Sequence, residues 1–128
     1  MGDILVTDDD KTCRDSIQRV LERAGHRVQT AGNVDAAIEA LDLNSFDLVV
    51  CDYRMPGKTG LDLLSELKRR GASVPVLMMS ANTDEKVEQS MLQLGALELI
   101  NKPIRRRELI DRAAKAMGGL YVGPNHHL

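Results

Sequence analysis

Five polar side chains each close a short apolar run: Asp8 and Asp9 after Ile4-Leu5-Val6, Asp52 after Leu48-Val49-Val50-Cys51, Ser80 after Val76-Leu77-Met78-Met79, and Lys102 just beyond Leu97 to Ile100. If the runs are strands of one sheet, three carboxylates, a hydroxyl and an ammonium converge at its edge. Two carboxylates ~4 Å apart repel by ~4 kcal/mol at an effective dielectric near 20, and three repel more. A chain selected for folding alone would not gather them without a cation. Oxygen ligands suit Mg²⁺, which takes one or two carboxylates plus a phosphoryl oxygen. Lys102 and the Ser80 hydroxyl could then share the charge on a transferring phosphoryl group. Asp52 would be the nucleophile, giving an acyl phosphate.

Each residue alone has an ordinary reading. Asp10 reads as a helix N-cap rather than a ligand. Asp8 and Asp9 suit the positive end of a helix dipole. Asp52 could serve as a turn residue, Ser80 as a strand-end hydroxyl and Lys102 as an exposed loop lysine before Pro103. Their coincidence at strand tips favours the chemical reading.

The elements that position them follow from apolar periodicity. Short runs at 4–6, 27–31, 48–51, 76–79 and 97–100 read as strands. Helical spacing follows each: Ile17, Val20, Leu21 and Ala24, ending at Gly25; Val34, Ala37, Ile38 and Leu41 after an Asn33 cap; Leu63, Leu64 and Leu67, stopping near Gly71; Val87, Met91 and Leu94 before Gly95; and Ile110, Ala113, Ala114 and Met117. Five strand–helix pairs in strict alternation predict a doubly wound α/β fold, a parallel sheet covered by helices on both faces. In such sheets ligands bind beyond the carboxyl ends of the strands, where the five polar residues fall.

Composition narrows the function further. The 128 residues fit one domain, and with 43% apolar residues but only Phe46, Tyr53 and Tyr121 aromatic the core must be aliphatic. Stacking platforms for single-stranded nucleic acid are excluded. The 17 basic and 19 acidic residues give a net charge of −2, not the footprint of a dedicated nucleic-acid binder. Cys13 and Cys51 read as unpaired thiols suited to a reducing cytoplasm. Neither a transmembrane run nor a signal-peptide pattern is present, so the expected location is cytoplasmic, without membrane contact. Residues 118–128 lack periodicity and read as a flexible tail or the start of a linker. Arg105-Arg106-Arg107 opens the last helix, where positive charge opposes the dipole; it reads as a solvated face or a docking surface for an acidic partner.

Four stretches together resemble a response-regulator receiver domain of two-component signal transduction: Ile-Leu-Val-Thr-Asp-Asp-Asp from residue 4, Val-Val-Cys-Asp-Tyr-Arg-Met-Pro-Gly-Lys-Thr-Gly from residue 49, Met-Met-Ser-Ala from residue 78 and Lys-Pro-Ile from residue 102. The resemblance covers about residues 3 to 117, with the domain itself taken as 1–117. It implies a flavodoxin-like (βα)5 sheet of order 2-1-3-4-5, and a cis bond between Lys102 and Pro103. Asp52 would be the phosphoacceptor. Asp9 would be a direct Mg²⁺ ligand, Asp8 an outer one, and the Arg54 backbone carbonyl a further one. Ser80 and Lys102 would contact the phosphoryl oxygens. The implied donor is a sensor histidine kinase or phosphotransfer protein. The domain assists its own phosphorylation and hydrolysis without being a turnover enzyme on an external substrate. Output passes to an unidentified partner or domain, and the face of the fourth helix, fifth strand and fifth helix is a candidate dimer surface.

Three departures matter. Lys58-Thr59-Gly60 replaces the frequent Met-Asp-Gly, a surface change expected to be of little consequence. Arg54 and Asn82 flank the site, where they would set the lifetime of the phosphoryl group. Leu99 stands where many receivers carry a Tyr or Phe that swings inward, leaving Ser80 and Leu99 as the switch residues. A haloacid-dehalogenase-like phosphatase is the enzymatic rival, but it needs a second Asp where Arg54 stands. A flavodoxin-like FMN binder would not place three acids in its phosphate loop. A degenerate receiver acting only as an interaction module would not need the complete polar set.

Overall fold

A computed structural model describes residues 2–81 and 84–118. The chain alternates β1 (Asp3–Thr7), α1 (Lys11–Arg23), β2 (Arg27–Ala31), α2 (Val34–Leu43), β3 (Leu48–Asp52), α3 (Gly60–Arg69), β4 (Val76–Ser80), α4 (Glu85–Gln93), β5 (Glu98–Asn101) and α5 (Arg106–Ala116). The five strands form one parallel sheet of order β2-β1-β3-β4-β5. Fold class and strand order therefore agree with expectation.

Side-chain alternation divides the core in two. Leu5, Val49, Cys51, Val76 and Met78 point to the face covered by α2, α3 and α4. Ile4, Val6, Leu48, Val50, Leu77, Met79 and Ile100 point to the face covered by α1 and α5. Because β3 and β4 are covered on both faces, every residue in them is buried, which is why they read as continuous apolar runs.

Helix starts are fixed by side chains. Asp10 accepts from the Thr12 and Cys13 amides, as expected of a cap rather than a ligand. Asn33 accepts from Ala36 N and Asp84 from Val87 N. Thr59 and Asp62 form a capping box at α3, so residues 58–60 do more than decorate the surface. At Gly60 a Cβ would lie 2.5 Å from Met78 Sδ and 3.1 Å from the Asp52 carbonyl oxygen; only glycine lets α3 start this close to the tip of β3.

The sequence reading misplaces some details. Asp52 and Ser80 are the last residues of their strands rather than the residues after them, and β5 starts one residue later than the apolar run, leaving Leu97 exposed. In α5 the deeply buried residues are Leu109 and Ala113, whereas Ile110, Ala114 and Met117 are only half-buried. No helix of the described residues is long and apolar enough to cross a membrane. Of the expected tail at 118–128, residues 119–128 lie outside the described residues.

Candidate functional site

The sheet's strand order puts β1, β3 and β4 side by side, and the carboxyl ends of these strands carry the polar set. Carboxylate oxygens of Asp8, Asp9 and Asp52 lie within 4.8 Å of one another. Asp8 is fully buried and Asp52 nearly so, while Asp9 is exposed. The Lys102 ammonium sits between the two buried acids, 3.3 Å from Asp8 Oδ2 and 3.3 Å from Asp52 Oδ1. The Lys102–Pro103 peptide bond is cis, as the resemblance implies.

Backbone bonds hold the strand tips in register with one another. The Asp8 amide donates to Ala31 O at 3.1 Å, Tyr53 N to Met79 O at 2.8 Å, Gly60 N to Tyr53 O at 2.9 Å and Lys102 N to Ser80 O at 2.9 Å. The Asp8 carboxylate also accepts from Asp10 N at 2.9 Å through Oδ1.

One cation does not balance three acids. Burial pushes the Asp52 carboxyl above the ordinary carboxylate range, and the Asp8 and Asp9 charges add to the rise; the Lys102 charge offsets this only in part. Burial alone would lower the Lys102 ammonium, but the Asp8 and Asp52 carboxylates outweigh it and the net direction is up. The second shift shows the negative charge around the ammonium outweighing its burial. The Ser80 Oγ and Thr7 Oγ1 atoms are buried without a hydrogen-bond partner among the described residues, and buried polar atoms are seldom left so. An all-oxygen donor set with surplus negative charge and an orphaned hydroxyl beside it fits a hard divalent cation together with an anionic group.

The remaining expected residues are less central. Arg54 is exposed, its guanidinium carbon 6.0 Å from the Tyr53 ring centroid. Leu99 is half-buried in β5, opposite Met78, on the α4 side of the sheet. Asn82 lies outside the described residues. Cys13 and Cys51 are unpaired thiols; burial, then the nearby Asp8, push the Cys13 thiol up to about 11, so it stays protonated at neutral pH.

Sequence reasoning missed three neighbours of the site: Thr7, Cys13 and Arg14, whose Nη1 donates to the Asp8 carbonyl at 2.8 Å. Thr7 was visible as the polar residue ending an apolar run. The other two depend on the path of α1 over the loop and leave no local pattern. A groove of about 910 Å³ runs between α1 and α5, beside the carboxylates rather than over them. Half-buried Val20 and Ile104 and exposed Arg19, Arg23, Arg106 and Arg107 line it.

Fold, site and sequence together define a class, and the chain belongs to it: residues 4–114 match the family model for the response regulator receiver domain. It is 37% identical over 102 residues to the transcriptional regulatory protein FixJ of Bradyrhizobium diazoefficiens, covering 80% of this chain and 50% of FixJ. It is 34% identical over 115 residues to the sensory/regulatory protein RpfC of Xanthomonas campestris, covering 87% of this chain and 16% of RpfC. The chain thus spans half or less of these relatives. Among solved structures, the receiver domain of a Francisella response regulator superposes with a TM-score of 0.86 at 28% identity, over 91% of this chain and 97% of that one. NtrX from Brucella abortus gives 0.84 at 34% identity, over 91% of this chain and 27% of NtrX.

Proposed function

We propose that this receiver domain takes a phosphoryl group onto Asp52 from a phosphohistidine of a sensor histidine kinase or phosphotransfer protein. The observation that carries the reading is the buried Asp52 carboxylate at the tip of the central strand, 3.3 Å from Lys102 and grouped with Asp8 and Asp9. An Asp52 oxygen attacks phosphorus, a new O–P bond forms, and the donor's P–N bond breaks. Asp8, Asp9, Asp52 and the Arg54 backbone carbonyl would hold Mg²⁺. When bound, the ion supplies positive charge against the phosphoryl oxygens. Lys102 supplies a second positive charge, and the Ser80 hydroxyl supplies the donor it now spends on no partner. Hydrolysis of the acyl phosphate resets the module, so the domain turns over no external substrate. The phosphatase alternative loses its general acid, because Arg54 stands two residues beyond Asp52 and is exposed.

Signal output follows from Ser80 moving toward the phosphoryl oxygens and vacating space that Leu99 can enter. Leu99 offers no hydroxyl and less area than an aromatic residue, so the population shift between states is modest. The α4–β5–α5 face, with exposed Leu92 and Leu97 along it, is where an output partner or a second copy would bind. The arginine-lined groove between α1 and α5 suits the donor protein, with an acidic surface favoured by its charge. We assign residues 1–117 to the receiver and a cytoplasmic setting to the protein.

Intact-mass measurement after incubation with a small phosphodonor and Mg²⁺ tests the reading. Wild type should gain one phosphoryl group and Asp52→Asn none. Equal labelling of the two would move the acceptor elsewhere.

A further inference from the structure

Arg14, the fourth residue of α1, reaches back over the start of its own helix. Its Nη1 donates to the carbonyl oxygen of Asp8 at 2.8 Å. That carbonyl belongs to the peptide joining Asp8 to Asp9. The other polar atoms of Asp8 are also engaged: its N–H by Ala31 O, Oδ1 by Asp10 N and Oδ2 by Lys102. Asp9 is different. It is exposed, and its side chain makes no hydrogen bond among the described residues. Its carboxylate is therefore placed through the backbone that carries it, and Arg14 is the side chain bonded to the peptide that precedes it. A guanidinium is suited to this, because its donors are fixed in one plane and it stays charged at any pH the protein meets.

The space for this contact is provided by Gly32, in the turn between β2 and α2. A Cβ built there would lie 3.4 Å from Arg14 Nη1 and 4.0 Å from Cζ, ordinary contact for a methyl group. Three segments thus meet at Arg14: the β1–α1 loop, α1 and the β2–α2 turn.

We infer that Arg14 is a positioning residue for the metal-binding carboxylates: it fixes the Asp8–Asp9 peptide and so aims Asp9 at the site. The inference rests on the reading that the acidic group takes a divalent cation. A positive charge near a cation site could instead weaken binding. The Arg14 guanidinium is bonded to a backbone carbonyl, and the two effects move the affinity of an Arg14→Met variant in opposite directions, so the measured affinity separates them.

The test titrates Mn²⁺, which takes the same oxygen ligands, and counts the free ion by paramagnetic resonance. Wild type, Arg14→Met, Arg14→Lys, Asp9→Asn and the double variant Arg14→Met/Asp9→Asn are compared, with metal-free melting as the control for folding. Partners that orient a metal ligand typically change affinity by about tenfold or more, so Arg14→Met should weaken binding by about tenfold. Arg14→Lys should recover part of the loss, and Gly32→Ala should bind as wild type does. In the Asp9→Asn background, Arg14→Met should add almost nothing, because the ligand it aims is gone. An undiminished affinity in Arg14→Met overturns the inference. An equal loss in both backgrounds also overturns it, since a general disturbance of the loop would act with or without Asp9. A wild type that binds no Mn²⁺ overturns the site reading itself, and this inference with it. Arg14→Gln serves in place of the methionine variant if that one does not fold.

Discussion

At the amino end of the sheet, Asp3 at the start of β1 meets Arg27 at the start of β2 in a two-pronged contact, 2.6 Å and 2.9 Å long. The Asp3 amide is taken by Asp47. That end is exposed, and the arginine holds the Asp3 carboxyl below its ordinary value. At the carboxyl end of the same sheet, Asp8 and Asp52 are buried, share one lysine and have a third acid beside them. There the Asp52 carboxyl is pushed up, not down. The same sheet carries acids at both ends, and only one end is balanced. Charges that serve the fold alone are placed where water and a partner satisfy them. At the carboxyl end the buried acids outnumber the lysine they share, a deficit of positive charge inside the fold.

Removing the lysine that faces both buried acids should have the largest effect. Lys102→Met leaves two buried carboxylates facing each other. The metal-free protein should lose about 2 kcal/mol, below the usual cost of breaking a fully buried pair because Lys102 is partly solvated. Chemical denaturation measures this, and a loss under a few tenths would mean that water already screens the pair. Next comes Asp10→Ala, which deletes the cap of α1 and should cost about 1 kcal/mol while leaving Mg²⁺ affinity nearly intact by calorimetry. Asp9→Ala should do the reverse, weakening Mg²⁺ far more than it weakens the fold. Similar affinities in the two variants would erase the distinction between capping and ligating acids. Smallest is Asp3→Asn at the balanced end, where an exposed pair contributes little. Its melting midpoint should move by about a degree or less, and a larger drop would show that the amino end matters more than its exposure implies.

Much of this was legible in the sequence because the two periodicities alternate without interruption. Leu48 to Cys51 could only be a strand covered on both faces, and the caps Asp10 and Asn33 stood where their helices began. The site was legible for the same reason: once the strands were placed, their ends named Asp8, Asp9, Asp52, Ser80 and Lys102. What escaped depended on packing between elements. Leu109 and Ile110 are adjacent and equally apolar, and only the seating of α5 against the sheet chooses Leu109. Thr59 looked like a neutral surface exchange, yet with Asp62 it caps α3. The bond from Arg14 to the Asp8 carbonyl joins a side chain to a backbone six residues away over a gap left by Gly32, and no spacing rule announces it.

The most direct test of charge held in deficit is the melting of Asp52→Asn against wild type, first without divalent metal and then with Mg²⁺. Between the ordinary carboxylate value of 3.8 and its raised folded value, Asp52 keeps a proton in the folded protein that the unfolded chain has lost. Stability therefore falls as pH rises through that window. The metal-free variant should melt above wild type at pH 7, with the gain fading as pH drops toward 3.8. Mg²⁺ should then raise wild type more than the variant, narrowing or reversing the order, because a ligand stabilises the form that binds it. A metal-free variant that melts at or below wild type would contradict the account, since Asp52 would then be an ordinary contributor to the fold.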